Sequence, residues 1–497
     1  MTGFYLRKKG KTIMNRQDYL EKIERVISEG PYQDTWESLC THPVPKWYRD
    51  AKFGIFIHWG IYSVPAFRDE WYSRNVYRKG SAEYNYHVEN YGELSEFGYK
   101  DFIPMFKAEK FDPAAWARLF KKAGARYVMP VGEHTDGFQM YDSELSKWNA
   151  KQMGPKRDVL GELKEAVEAQ GMVFTTSSHR AEHWWFYNLG REIPEADVND
   201  EEYADFYGPA AGPTRAWGDF MDNPPDKEFL EDWLVRTCEL VDRYRPKDLY
   251  FDWWIQTYAF KPYLRKFAAY YYNQAEKWGA DVAINAKFDA FVHGSVVKDV
   301  ERGQMGDISP DFWQNDTSVA KNSWGYTKNN VYKDAKDILC NLVDVVSKNG
   351  SLLLNIGPKP DGTIPEEDER LLLEIGKWME TNGEAIYDTK YWKIYGEGPT
   401  AVPDGEFTDT QREEFTSEDI RFTSKADVVY AIVMKWPENG MVKIKSMASI
   451  KYLRTAIRDI EILGQKVKPF FEFRDTLEVS ADIETDDKPV VLKIYIE

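Results

Sequence analysis

Short apolar runs alternate with amphipathic segments from residue 53 to residue 354. The runs cover 53–57 (FGIFI), 127–131 (YVMPV), 172–174 (MVF), 248–251 (DLYF), 281–284 (DVAI) and 351–354 (SLLL). Between them lie segments such as DPAAWARLFKKAGA and VLGELKEAVEAQG, with apolar residues at helical spacing and a closing glycine. The runs do not alternate apolar with polar residues, as expected of parallel strands covered on both faces. Strand–helix repetition over this length predicts an α/β fold, a TIM-like (β/α) barrel. Several runs end in polar or aromatic clusters: His58-Trp59, Glu133-His134, Ser178-His179, Asp252-Trp253-Trp254 and Asn285-Ala286-Lys287. In such barrels the C-terminal strand ends build the active site, so these clusters predict one convergent pocket.

The pattern changes after about residue 397. IRFTSKADVVYAIVMKW, GMVKIKSMA, IRDIEILG and VVLKIYIE are short alternating strands separated by turn residues, which predicts an antiparallel β-sandwich. The Gly- and Pro-rich stretch GEGPTAVPDGEFT reads as the linker. At the other end, NRQDYLEKIERVISEG predicts one amphipathic helix stopping at Gly30. The expected organisation is a leader and helix over 1–44, a catalytic barrel over 45–395 and a C-terminal sandwich over 396–497.

With 82 acidic and 65 basic residues the net charge is −17, which disfavours nucleic-acid and membrane-surface binding. No apolar stretch approaches the ~20 residues needed to span a bilayer. The basic RKKGK near the start is not followed by an apolar region, so a cytoplasmic location is expected. The three cysteines, Cys40, Cys238 and Cys340, are too far apart for a CxxC metal site and suit a reducing compartment. Aromatic residues make up 15% of the chain, with 18 Trp and 31 Tyr. Trp and Tyr combine a flat apolar face with a polar handle, which suits either a large aromatic core or sugar rings.

The strand-end residues bear on three chemistries. His179 and His183 have HxxxH spacing, but Arg180 lies between them and HExxH is absent, so no metal is expected. No GxSxG elbow is present for a nucleophilic serine. Paired carboxylates remain. Asp252 closes an apolar strand beside two tryptophans, with Glu70 and Glu301 as candidate partners for glycoside hydrolysis. A buried ion pair, Glu301 with Arg302 for instance, is the purely structural alternative.

The segments WYRDAKFGIFIHWGIYSVPAF, EWY, EHTDGFQMYDSELSKWN, GPKRDVLGELKEAVEAQG, DLYFDWW, ERG, FWQNDTSVAKNSWGY and SKNGSLLLNIGPKPDGTIP occur in this order. Together they resemble the α-L-fucosidases of glycoside hydrolase family 29 over roughly residues 40–395. The resemblance implies a retaining exo-glycosidase that removes terminal α-L-fucose from a fucosylated oligosaccharide or glycoside, without a cofactor. It implies Asp252 as nucleophile. It implies sugar contacts from His58, Glu70, Trp71 and His134, and from His179 and Trp184 in SSHRAEHWW. Trp254 and Trp313 complete the expected sugar-facing set.

Two positions depart from the family pattern. Thr135 stands where a second histidine is expected, which predicts weak fucosidase activity or a sugar with a bulkier substituent. Gln314 stands where some members carry a glutamate, and Gln cannot donate a proton. Glu301 is therefore the expected acid/base, with Glu70 as runner-up. A glycosidase for α-L-galactosides and an inactive carbohydrate-binding relative are the alternatives. The residues imply no oligomeric state. Asp158 and Asn355 are expected to cap helices or tie loops.

Overall fold

A computed structural model describes residues 7–8, 11–12, 14–212, 219–448, 452–453 and 455–497. Residues 1–6, 9, 10 and 13 of the expected leader, which include Lys9 and Gly10 of RKKGK, lie outside the described residues. Eight parallel strands form the barrel: β1 (Phe53–Ile57), β2 (Tyr127–Glu133), β3 (Val173–Phe174, resuming as Thr176–Ser178), β4 (Asp248–Phe251), β5 (Ala283–Lys287), β6 (Val297–Glu301), β7 (Trp313–Ser318) and β8 (Gly350–Ile356). β1 pairs with both β2 and β8, which closes the sheet. Two of these strands, β6 (VKDVE) and β7 (WQNDTS), are too polar to stand out as apolar runs.

The helix α1 (Arg16–Glu29) begins at an Asn15 capping box and ends at Gly30, as its sequence predicts. Outer helices follow most strands: α2 (Pro113–Lys122), α3 (Val159–Ala169), α4 (Lys227–Tyr244), α5 (Lys261–Trp278), α6 (Ala335–Ser347) and α7 (Glu366–Asn382). Asp158 caps α3 by accepting from the Gly161 N–H. Residues 288–296 and 302–312 join β5 to β6 and β6 to β7 without a helix. Among the described residues no helix is long and apolar enough to cross a membrane.

The barrel interior changes character along its axis. Tyr48, Phe56, Tyr127, Met129, Tyr250 and Leu353 form an apolar cluster. Gln314 is fully buried there, accepting from the Tyr48 and Tyr127 hydroxyls at 2.5 and 3.0 Å and donating to Asp299 at 2.8 Å. Neighbouring strand residues point to opposite faces. Trp313 thus faces outward, packs with Val300 and Val345, and donates its indole N–H to the Lys348 carbonyl. The expectation that Trp313 contacts sugar is corrected by this alternation.

The C-terminal strands are β9 (Lys390–Glu397), β10 (Ile420–Lys425), β11 (Val428–Val433), β12 (Met441–Ile444), β13 (Ile457–Ile462), β14 (Phe470–Phe473), β15 (Leu477–Ser480) and β16 (Val490–Ile496). They form two antiparallel sheets, ordered β9-β10-β11-β16-β13 and β12-β15-β14, around a core that includes Phe422, Ile444, Val479 and Leu492. β9 and β10 pack on α6, where buried Arg421 reaches the Asp344 carboxylate at 2.6 Å.

Candidate active site

One cavity of about 750 Å³ opens at the C-terminal strand ends. Its walls bring together His58 after β1, His134 and Thr135 after β2, His179 after β3, Asp252, Trp253 and Trp254 after β4, and Glu301 ending β6. Glu70 and Trp71 enter from the loop after β1. These include the expected site residues apart from Trp184 and Trp313. Trp184 is buried beside Phe229 and donates its indole N–H to the Asn223 carbonyl, so packing rather than the cavity occupies that ring.

Asp252 is gripped by His179, whose Nδ1 lies 2.8 Å from Oδ2; the other ring nitrogen, Nε2, lies 2.9 Å from the Ser177 hydroxyl. Burial opposes ionisation of Asp252. The His179 imidazole and the Lys287 ammonium outweigh it and hold the carboxyl well below the usual carboxylate range. Lys287 is wholly buried and lies 2.7 Å from Asp299 and 3.1 Å from both Glu301 and Asp316. Those carboxylates overcome desolvation and keep its ammonium charged. Glu301 therefore pairs with Lys287, whereas Arg302 donates to the carbonyls of Ala320 and Ser323 and lies over the Trp324 ring.

Glu301 also accepts from the Trp253 indole N–H. Burial lifts its carboxyl against the pull of Lys287, and the Asp316 and Asp252 carboxylates lift it further, to about 7. Glu70 is placed differently. Its Oε2 accepts from the Ser323 hydroxyl and the backbone N–H groups of Trp324 and Gly325, at 2.9–3.3 Å. That anchoring suits a fixed acceptor more than a proton donor.

His58 shows how tightly the histidines of the cavity wall are oriented. The Asn355 amide nitrogen donates to the Trp324 carbonyl at 2.7 Å, which turns its oxygen toward His58. That oxygen accepts from the His58 backbone N–H and from Nδ1, at 3.1 and 2.7 Å. The tautomer is thereby set, with Nε2 left as an acceptor. Burial lowers the ring pKa to about 3, so it is neutral at pH 7. Asn355 thus ties a loop, as expected, and also aims a histidine. His134 sits 3.0 Å from the Thr135 hydroxyl, and burial likewise holds it neutral. His58, His134 and His179 lie close enough together to share an ion. Both His179 nitrogens already serve Asp252 and Ser177, so a metal would have to displace one of those bonds.

Several wall residues escaped sequence reasoning. Glu182 is buried, and no hydrogen-bond partner is found for its Oε2 among the described residues. Burial pushes its carboxyl well above the usual range. Trp324 comes from the loop after β7. Glu406 and Phe407 come from the stretch read as a linker. Two signals were available: Trp324 lies in the NSWGY motif, and Glu406-Phe407 pairs an acid with an aromatic in a Gly/Pro stretch. The strained backbone of Trp254, Phe288, Arg302 and Phe407, all with φ between 42° and 69°, also clusters here.

A closed parallel barrel with carboxyl groups, imidazoles and indoles around one cavity defines a barrel glycoside hydrolase. The family profile described as Alpha-L-fucosidase matches residues 20–384, and that of the Alpha-L-fucosidase C-terminal domain matches residues 411–490. The chain belongs to the α-L-fucosidase family, and its activity is hydrolysis of α-L-fucosides. Tissue alpha-L-fucosidase of Rattus norvegicus is 31% identical over 84% of this chain and 81% of its own length. Plasma alpha-L-fucosidase of Homo sapiens is also 31% identical, over 83% and 80%. The crystal structure of Thermotoga maritima alpha-fucosidase superposes with a TM-score of 0.74 at 32% identity, covering 93% of this chain and all of that one. The same bacterial enzyme has been solved in complex with fucose, with a TM-score of 0.73 at 31% identity.

Proposed function

We propose that the enzyme is a retaining exo-α-L-fucosidase working through a covalent glycosyl-enzyme intermediate. The observation that carries this reading is one cavity holding two carboxyl groups in opposite settings. Asp252 is bonded by His179 and kept as carboxylate; Glu301 is buried among carboxylates and retains a proton near neutral pH. In the first step the Asp252 carboxylate attacks the anomeric carbon. The glycosidic C–O bond breaks, and its oxygen takes the Glu301 proton. Esterification removes the Asp252 charge, one of the influences that raises Glu301. With Lys287 3.1 Å away, Glu301 then becomes the better base. It takes a proton from water as that water attacks the anomeric carbon, and Asp252 leaves as carboxylate.

His58, His134 and Glu70 supply acceptors and donors for the sugar hydroxyls, with Trp71 and Trp254 as apolar walls. Glu182, kept neutral, adds a carboxylic acid that can donate to a hydroxyl. The fucose complex of the Thermotoga maritima enzyme supports fucose as the occupant. The test is Asp252→Gly. Turnover should fall by several orders of magnitude and recover in part with azide, giving a fucosyl azide whose anomeric configuration NMR reads. Near wild-type turnover in this variant would remove Asp252 from the mechanism, and first-formed β-fucose from the wild type would contradict retention.

A further inference from the structure

The stretch after β9 returns to the mouth of the barrel. Gly405 and Gln304 exchange backbone hydrogen bonds at 2.8 and 3.1 Å. Phe407 N–H donates to the Glu301 carbonyl and Asp409 N–H to the Arg302 carbonyl, both at 2.8 Å. The Glu301 N–H in turn donates to the Glu406 carboxylate. The Asp409 carboxylate accepts from Thr317 and Lys333, which pins the far end. This clamp sets the Phe407 ring nearly parallel to the Trp253 indole, 18° between planes and 6.2 Å between centroids. Phe288, after β5, stands 5.4 Å from the same indole.

Phe407 and Phe288 are 51% and 61% exposed, and both hold left-handed backbone at φ 57° and 47°. A lone exposed phenylalanine needs no explanation. Two of them, each on a costly backbone and each against one tryptophan at the rim of a catalytic cavity, do. Packing does not account for them, because each residue is more than half exposed. The position gives the reason. The Trp253 indole N–H donates to the Glu301 carboxylate, so the three rings lie on the side where the leaving oxygen meets its proton.

We propose that Trp253, Phe288 and Phe407 form the subsite for the leaving group, built for a flat six-membered ring with an apolar face. Two sources share that chemistry: the C–H face of the pyranose that bears the fucose, and an aryl aglycone. The proposal rests on Glu301 as acid/base. It makes a segment beyond the barrel a determinant of which fucosides are cleaved.

The test compares α-L-fucosyl fluoride, whose leaving group has no ring, with a fucosyl-galactose disaccharide and an aryl α-L-fucoside. Phe407→Ala and Phe288→Ala should each lower the ratio of kcat/KM on a ring-bearing substrate to that on the fluoride by about tenfold, the scale of one lost ring contact. Loss confined to the disaccharide assigns the subsite to a sugar; loss confined to the aryl fucoside assigns it to an aryl group. Phe407→Trp should keep the ratio, and Phe407→Leu, apolar but not flat, should lower it. Equal ratios across all variants and substrates would overturn the proposal. Glu301→Ala measured alongside separates the two readings. Normal disaccharide cleavage there removes the acid/base assignment, while the Phe407 ratios still report directly on the ring site.

Discussion

The proposed chemistry turns on two carboxyl groups whose surroundings push them apart. Asp252 and Glu301 share a cavity, yet His179 stabilises one as an anion while burial keeps a proton on the other. A pH dependence follows with a definite sign. In the proposed mechanism the proton on Glu301 is required to expel a poor leaving group, and burial lets it be lost only as pH rises through about 7. The kcat/KM for a fucosyl disaccharide should therefore fall above pH 7, while fucosyl fluoride, which needs no proton, stays flatter. Identical alkaline limbs for both substrates would contradict the assignment. Thr135 offers a second test. Its hydroxyl meets His134, and Arg180 does not fill the vacated space, being tied to Glu133 and Asp232 at 2.5 and 2.7 Å. One restored neutral hydrogen bond corresponds to about a tenfold effect, so Thr135→His should raise kcat/KM on an aryl α-L-fucoside by roughly that factor. No change, or a fall, would mean the cavity is built around threonine.

At the scale of elements, the strand ends were legible because chemistry interrupts buried apolar runs. His58 and Asp252 directly follow buried apolar strand ends, and His134 and His179 follow strands that already close on Glu133 and Ser178. Trp313 and Trp184 were not legible. A tryptophan in a motif says nothing about which face of a strand or which side of a short helix carries it, and both rings turned out to pack into the protein. β7 was missed for a related reason. Gln314 and Asp316 are polar yet interior, tolerated because Tyr48, Tyr127, Tyr250 and Lys287 satisfy them. The junction of α6 with β10 rests on a comparable device. Buried Asp344 is shared by Lys348 at 2.7 Å and Arg421 at 2.6 Å. Removing one partner of a buried pair costs about 3–5 kcal/mol. Lys348 remains, so Arg421→Ala should lose about 3 kcal/mol, the lower end of that range, read as a shifted urea midpoint at constant slope.

Across the whole molecule, the barrel and the C-terminal sheets are joined through buried contacts rather than tethered. Arg421 reaches into α6, the Trp378 indole on α7 donates to the Pro489 carbonyl at 2.8 Å, and residues 405–409 grip the end of β6. Chains with two cores commonly unfold in steps. Here calorimetry should find one transition with a van't Hoff to calorimetric enthalpy ratio of about one, and active-site tryptophan fluorescence should change with it. Two resolved transitions would show that the sheets are energetically independent. The amino-acid order alone determined the barrel, the sandwich, the catalytic candidates and the family, because those depend on hydrophobic period, on polar strand ends and on motifs that stay local in the chain. Tertiary structure alone decided that Lys287 rather than Arg302 partners Glu301, that Glu182 lines the cavity with its Oε2 finding no hydrogen-bond partner among the described residues, and that a presumed linker supplies Glu406 and Phe407. Those facts depend on which distant segments meet and on how burial reweights each charge, and neither is written in the spacing of residues along the chain.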